Sequence, residues 1–215
     1  MSMKKSFFTL VLVFCTLLVN AQYKYRDSNR IGITIGMNQF SLATSNFETK
    51  PASGLNVGLS VRGNYYNDWD MVYAMQFSEN NFMVASKNFA SQPEDVNYKL
   101  SSAQISLMGS YKIVENHLSV EFGPMIQVNG KLMINETQEN NKIIGTTFLA
   151  KDITDISKFN FYPAVGITAG VRHFRVNLQY YHGVNNILGN LNKTNVSSGF
   201  KGTASIVCAN LIIYL

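Results

Sequence analysis

Charged residues are scarce in this chain. Asp, Glu, Lys and Arg make up 14% of its 215 residues, and no segment concentrates Lys and Arg. A water-exposed surface usually carries more charge, roughly 25–35% in soluble designs. A nucleic-acid-binding surface would need a clustered basic patch. The composition therefore argues against a nucleic-acid partner and against an ordinary soluble domain.

Cysteine is nearly absent as well. Only Cys15 and Cys208 occur, and Cys15 falls within an N-terminal apolar segment. If that segment is removed, Cys208 remains alone and no intramolecular disulfide can form. The chain is therefore not a disulfide-stabilised secreted domain. We expect its stability to come from a β-sheet or from a membrane.

Long hydrophobic runs are missing after the N-terminus, so we expect no transmembrane helix. At the N-terminus, Lys4 and Lys5 precede an apolar run from Phe7 to Val19, and the short residues Asn20 and Ala21 follow. This pattern predicts a secretory signal peptide over residues 1–21 and a mature domain over 22–215. Its removal would lower the formal net charge from +5 to +3. The alternative, an uncleaved membrane anchor, needs a longer run of about 20 apolar residues.

Strict alternation of apolar and polar residues is the main feature of the remaining chain. The stretch "FYPAVGITAGVRHFRVNLQYYHG", from Phe161 to Gly183, alternates on both sides of Arg172 and His173. Such a pattern predicts a β-hairpin with one apolar face and one small, polar face. The alternation alone fits a soluble sandwich with the apolar face inside or a membrane barrel with that face outside.

Eight alternating runs follow one another: Arg30 to Leu42, Ser53 to Tyr66, Trp69 to Glu79, Tyr98 to Ile113, His117 to Asn129, Lys158 to Arg172, Phe174 to Val184 and Gly199 to Leu215. Long and short connections alternate between them, as the periplasmic turns and extracellular loops of outer-membrane barrels do. The runs are long enough to cross a bilayer as tilted strands. We therefore predict an all-β fold, an eight-stranded antiparallel up-and-down transmembrane β-barrel with short periplasmic turns and long extracellular loops.

Aromatic residues near the predicted strand ends indicate which face meets lipid. They are Tyr65, Trp69, Tyr111, Phe161, Phe174 and Tyr180. Aromatic girdles of this kind mark the membrane interfaces, although aromatic residues favour strands in any case. Together with the low charge, the set predicts that the apolar face meets lipid and the polar face lines the lumen. Ile167 should then face lipid and Thr168 the lumen.

The polar face carries a group of charges near the short-turn end. Its members are Arg62, Asp70, Lys112, Glu121, Arg172 and Arg175. Side chains nearly fill the lumen of an eight-stranded barrel, so these charges must pair with one another or meet water. They would form either a structural plug or the selective constriction of a pore. We expect Glu121 to be the main acidic partner of Arg62, Lys112, Arg175 or some of them.

The extracellular loops and the histidines are the remaining candidates for function. We expect the loops Asn80 to Asn97, Gly130 to Ser157 and Asn185 to Ser198 to be either plain solvated segments or binding surfaces. His117 and His173 fall at short turns and His182 near the opposite end, so they do not form one site. The motifs HExxH, GxSxG and CxxC do not occur. The sequence thus predicts a non-enzymatic protein with no cofactor and no metal, although a spatial triad acting on lipid or peptide would leave no motif.

Three segments resemble a known family. They are "IGITIGMNQFSL" in the first strand, "VEFGPMIQVNG" in the fifth and "VGITAGVRHFRVNLQYYHGVNNIL" across the sixth and seventh. With the final strand at the C-terminus, they are similar to the PorT-like outer-membrane β-barrel proteins of Bacteroidota. The resemblance implies a barrel over the whole mature chain and no particular activity, although the name-giving relative is associated with protein secretion. We expect an outer-membrane protein that contacts lipid and acts through an extracellular ligand, an envelope partner or a structural role, with a narrow pore as the alternative.

Overall fold

A computed structural model describes residues 29–193 and 199–215 of the chain. The strands are β1 (Arg30–Thr44), β2 (Thr49–Tyr66), β3 (Trp69–Lys87), β4 (Pro93–Val114), β5 (Leu118–Met133), β6 (Lys142–Ile143), β7 (Phe159–Gly170), β8 (Phe174–His182) and β9 (Gly202–Tyr214). Short 3₁₀ turns occupy Glu136–Gln138, Ala150–Ile153 and Gly189–Asn192. Within the described ranges, no helix is long and apolar enough to cross a membrane. The predicted signal peptide, residues 1–21, lies outside the described residues.

Eight of these strands form a closed barrel. Neighbouring strands pair in the order β2-β1-β9-β8-β7-β5-β4-β3, and an additional pairing of β2 with β3 closes the ring. Every pairing is antiparallel. Each long strand pairs with the next long strand along the chain, and the last strand, β9, pairs with the first, β1. The two-residue strand β6 adds to the end of β3 through Ser86 and Lys87. The predicted eight-stranded up-and-down barrel is confirmed.

The barrel wall has its apolar side chains outside. On β7, Ile167 is 48% exposed while its neighbour Thr168 is fully buried. On β1, Ile33 is 51% exposed and Thr34 is 1% exposed. The same alternation holds on the other long strands. A soluble fold would bury the large apolar residues, so this outer surface fits a hydrocarbon environment.

Two aromatic side chains, one on β4 and one on β5, contact Trp69 near the short turns. Its ring lies 5.1 Å from that of Tyr111 and 5.7 Å from that of Phe122, in an edge-to-face arrangement with Phe122. Tyr65 is exposed on the same end of the wall. This is the position at which amphipathic aromatic rings meet the membrane interface.

The predicted loop from Asn80 to Asn97 is wrong. β3 continues to Lys87 and β4 begins at Pro93, so only residues 88–92 connect them. The inward side chains Phe82 and Val84 stay buried along this extension. A hairpin that projects beyond the bilayer therefore keeps its alternation, because its inner face packs on other protein segments. The first predicted loop is also shorter, since β1 ends at Thr44 and β2 begins at Thr49.

An apolar core fills the loop end of the barrel. The rings of Phe82 and Tyr98 stack with centroids 5.1 Å apart, and Phe148 contacts Phe200 at 5.2 Å. The Tyr98 hydroxyl donates a hydrogen bond to the Ala150 carbonyl at 2.8 Å, which fastens the connection between β5 and β7 to the wall. Other buried members are Phe40, Leu42, Val96, Leu100, Ile143, Ile153, Ile156, Ile187, Leu188, Leu191 and Ile206. The connection between β5 and β7 and the described part of that between β8 and β9 are therefore not plain solvated loops.

Candidate functional site

A polar network crosses the middle of the lumen. The Asn56 side chain donates hydrogen bonds to Asn210 at 2.7 Å and to Gln76 at 3.2 Å. The Asn210 amide donates to Asn177 at 3.3 Å, and Asn177 donates to a Glu121 carboxylate oxygen at 2.9 Å. These side chains come from five different strands, so the network ties opposite walls together. Its residues are inward because strand alternation places every second side chain in the lumen.

An ionic cluster lies between this network and the short turns. Arg62 is the centre, and its guanidinium donates to Asp70 at 3.1 Å, to the Ser110 hydroxyl at 2.8 Å and to Glu121. Lys112 reaches the second oxygen of Asp70 at 3.2 Å. Arg62, Asp70 and Glu121 are buried and Lys112 is half-buried. The four predicted residues thus lie in one connected group.

Glu121 uses both carboxylate oxygens inside the lumen. One oxygen accepts from Arg62 and from Ser110 at 3.3 Å, and the other accepts from Asn177 and from Gln179 at 3.2 Å. The side chain is 1% exposed. Of the cationic partners expected for Glu121, the structure therefore shows Arg62, while Lys112 binds Asp70 instead. The sequence could not separate these pairings, because they depend on the strand registers.

Arg172 was predicted in the lumen, and this is wrong. β7 ends at Gly170, whose φ of 150° favours glycine, and Val171 donates a backbone hydrogen bond to Phe174 at 2.8 Å. The resulting turn breaks the alternation and leaves Arg172 exposed. Its carbonyl accepts a hydrogen bond from Arg30 at 2.9 Å. Arg175, which follows the turn, is buried in the lumen as the alternation predicts.

Arg30 belongs to the same end of the lumen and was not predicted there. It is 5% exposed at the start of β1, and it also donates to Asn116 at 3.4 Å. Alternation with the inward positions Gly32 and Thr34 was the signal that placed it inside.

The lumen narrows to a small cavity at the short-turn end. Its volume is about 20 Å³, and it is lined by Arg30, Arg62, Asn64, Asp70, Lys112, Glu115, Asn116 and Arg175. A cavity needs roughly 10–15 Å³ of such volume to hold one water molecule. The ion pairs of Arg62 and Lys112 with Asp70 and Glu121 border this cavity.

A larger groove lies on the outer wall at the opposite end. Its volume is about 720 Å³, and its lining is Ala52, Ser53, Asn81, Met83, Asn97, Tyr98, Lys99, Met133, Ile134, Asn135 and Gln138. Gln138 closes one side, because its amide donates to Glu94 at 2.8 Å. Nearby, Lys50 forms an ion pair with Asp95 at 2.6 Å. The hydrogen bond and charge of Asp95 raise the pKa of Lys50.

The described side chains do not form a metal site or a histidine-based catalytic group. No cluster of three His, Cys, Asp or Glu side chains occurs within residues 29–193 and 199–215. His117 and His173 lie at the short turns. The Nδ1 atom of His117 is 2.9 Å from the Glu115 carbonyl oxygen, and that of His173 is 3.1 Å from the Tyr214 carbonyl oxygen. His182 lies at the other end of β8, beside Tyr180. Cys208 is a free, buried thiol.

The model of the outer membrane protein beta-barrel domain matches residues 20–189, which is most of the chain. The chain belongs to this family. The protein is therefore an outer-membrane β-barrel located in the bacterial outer membrane. No sequence among curated proteins matches it significantly.

Three solved structures are similar to the chain at low sequence identity. Neisserial surface protein A is 11% identical, covers 87% of this chain and 99% of its own, and has a TM-score of 0.48. Ail, the attachment invasion locus protein of Yersinia pestis, is 11% identical, with coverages of 88% and 100% and a TM-score of 0.49. OprG of Pseudomonas aeruginosa is 11% identical, with coverages of 88% and 95% and a TM-score of 0.46.

Proposed function

We propose that this protein is a non-conducting, non-enzymatic barrel that anchors an extracellular binding surface in the outer membrane. The barrel supplies a rigid wall, and the projecting ends of β2, β3, β4 and β5 carry the surface outside the bilayer. A closed lumen distinguishes such an anchor from a pore for small solutes. The loops of rigid scaffolds commonly carry binding functions.

The obstruction of the lumen at both ends is the observation that supports this proposal. At the short-turn end, the ion pairs around Arg62 leave a cavity of about 20 Å³. At the loop end, the apolar core around Tyr98 and Ile153 fills the space inside the wall. A hydrated ion entering from outside would first have to displace apolar side chains, which is unfavourable. A selective constriction would instead need water on both sides of its charges.

The groove along β3 and β4 is the surface to which we assign binding. The carboxylate of Glu79 and the ammonium group of Lys99 are 3.9 Å apart on the outer wall. This pair marks the limit of the apolar outer face on the side of the groove. Lys99 of this pair already lines the groove, and apolar side chains such as Met83 and Met133 lie in it beside the amides of Asn81 and Asn97. Mixed lining of this kind suits a partner with apolar and hydrogen-bonding groups. We propose an extracellular ligand or another envelope protein as the partner.

Two finer assignments accompany this proposal. We propose that residues 1–21 are removed on export, which N-terminal sequencing of the protein from outer-membrane fractions would test by finding Gln22 first. We also propose that the chain lies in the PorT-like part of the barrel family, on the resemblance of its first, fifth, sixth and seventh predicted strands. The separation of the three histidines supports the absence of hydrolytic activity.

Planar-bilayer recording tests the proposed closure. The purified barrel, inserted in a bilayer between chloride solutions, should give no steady conductance steps above those of protein-free detergent. A known open porin at the same protein-to-lipid ratio serves as the positive control for insertion. Reproducible steps of one size would overturn the proposal in favour of the pore.

A further inference from the structure

We infer that the open edge of β4 binds an extended peptide segment of a partner protein as an added β-strand. This inference rests on the binding surface proposed above, because the edge borders the same groove. β4 begins at Pro93, but its pairing with β5 begins only at Lys99, opposite Met133. No described strand pairs with residues 93–98 on this side, whereas β3 pairs with them on the other. β4 therefore has a single neighbouring strand where it projects beyond the wall.

The backbone groups of Asp95 and Asn97 point away from β3. Asp95 is opposite Ala85 in the ladder. The Ala85 N–H donates to the Glu48 carbonyl at 3.2 Å, and its carbonyl accepts from Ile144 at 3.0 Å. Both partners lie on the side of β3 away from β4, so Asp95 and Ala85 are a non-hydrogen-bonded pair of the antiparallel ladder. Asn97, two residues along, has the same orientation. An unpaired edge of this kind is a template for another strand.

The side-chain amide of Gln138 occupies part of this edge. It accepts a hydrogen bond from the Asn97 N–H at 3.5 Å and donates to the Asp95 carbonyl at 3.3 Å. A peptide group of a neighbouring strand would make the same two contacts, but at the usual distance of roughly 2.7–3.2 Å. The amide also donates to the Glu94 carboxylate at 2.8 Å. An incoming strand would replace the two long hydrogen bonds with a ladder and would release the Glu94 carboxylate.

The surroundings of the edge specify the chemistry of the peptide. The apolar side chains of Met133 and Ile134 line the groove beside Asn97. Peptide residues that face the groove, at every second position, should therefore be apolar. The Glu94 carboxylate loses its amide donor when Gln138 is displaced, so a Lys or Arg of the peptide should lie near it. Main-chain hydrogen bonds would supply the affinity and these side chains the specificity.

Selection of short random peptides displayed on phage tests this site, with the purified barrel in nanodiscs as the target. We expect the enriched peptides to combine apolar residues at alternate positions with a Lys or Arg. A synthetic copy should bind, and N-methylation of its alternate amides should abolish binding, because the edge carbonyls then lose their donors. No enrichment over empty nanodiscs, or binding that survives N-methylation at every position, would overturn the inference. Neither result bears on the closed lumen, which the conductance recording tests separately.

Variants of the barrel connect the binding to the edge of β4. Asn97→Pro removes an N–H that points to the edge and should weaken binding of the synthetic peptide about tenfold, whereas Asn97→Ser keeps it. Gln138→Ala removes the competing amide and should tighten binding several-fold, whereas Glu136→Gln, at an exposed residue of the same 3₁₀ turn, should not.

The two positions give independent readouts. If Asn97→Pro does not fold, the gain of affinity in Gln138→Ala decides. Equal binding by Asn97→Pro and Asn97→Ser would overturn the inference. So would unchanged affinity in Gln138→Ala, or its aggregation without peptide binding, which is the result expected if Gln138 only protects the edge.

Discussion

Arg62 on β2 and Glu121 on β5 form an ion pair across the lumen, although β3 and β4 separate their strands in the barrel wall. The backbone pairings of the wall do not connect β2 to β5. This side-chain pair therefore links two strands that share no backbone hydrogen bonds. Asp70 on β3 and Ser110 on β4 complete the bridge by contacting the same guanidinium.

Removal of the Glu121 charge should destabilise the barrel strongly. Glu121→Gln keeps the shape of the side chain and leaves Arg62 with Asp70 as its remaining acid. Breaking a buried ionic group typically costs about 3–5 kcal/mol. Glu79→Gln is the matched control, because the side chains of Glu79 and Lys99 are 45% and 60% exposed and such pairs contribute about 0–1 kcal/mol. Urea unfolding in lipid vesicles measures both variants.

The opposite result would identify a wet channel wall. In that case Glu121→Gln would unfold at the urea concentration of the unchanged protein and would pass chloride faster. The ionic cluster would then line a pore.

A charge placed on the middle of the outer wall should be poorly tolerated. Val165 is 57% exposed halfway along β7. Arginine near the bilayer midplane costs about 2–4 kcal/mol in transmembrane barrels. Val165→Arg should show a loss of this size in vesicles, whereas Val165→Leu should be nearly neutral. Equal stability of the two variants would mean that this face does not meet hydrocarbon.

The hydrogen bond from Tyr98 to Ala150 should hold the connection between β5 and β7 in place. Tyr98→Phe removes the donor and should cost about 1 kcal/mol. Because the connection then opens more often, trypsin should cleave faster at the exposed Lys142 and Lys151. Tyr65→Phe, at the other end of the wall, is the control. Cleavage at the same rate in both variants would show that the bond does not restrain the connection.

Two glycines in the wall should respond differently to the same substitution. A Cβ added at Gly54 would lie 1.7 Å from the Glu79 carbonyl oxygen, whereas at Gly109 the nearest atom is 3.6 Å away. Overpacking of this kind typically costs about 1–3 kcal/mol. Gly54→Ala should lower the urea midpoint, and Gly109→Ala should leave it within error. A reversed order would mean that β2 and β3 pack differently near Gly54.

The barrel could be predicted because lipid and lumen impose opposite requirements on neighbouring residues. Ile167 and Thr168 differ in polarity for this reason, and the same contrast recurs on each long strand. The sequence does not predict the extension of β3, because Asn80 and Asn81 are typical of loops and interrupt the pattern before the apolar positions Phe82 and Val84. Their burial depends on packing against distant segments, which periodicity does not describe.

The ionic partners could be predicted only as a group. Alternation indicates which charges face inward, but the contact of Lys112 with Asp70 depends on the registers of β3 and β4. Arg172 was misplaced because Gly170 ends the strand two residues earlier than the apolar pattern suggests. Arg30 is harder to predict because it is the first residue of β1, so the alternation supports its inward position from one side only.

The interpretation of the lumen, the ionic cluster and the closed ends depends on the apolar face meeting lipid. The fluorescence of the single tryptophan of the chain tests this directly. Trp69 lies on the outer wall beside Tyr111, near the short turns. In vesicles, phospholipids brominated near the headgroup should quench its fluorescence strongly, those brominated deep in the chain less, and aqueous acrylamide only weakly. Strong quenching by acrylamide with no effect of either brominated lipid would contradict a lipid-facing wall.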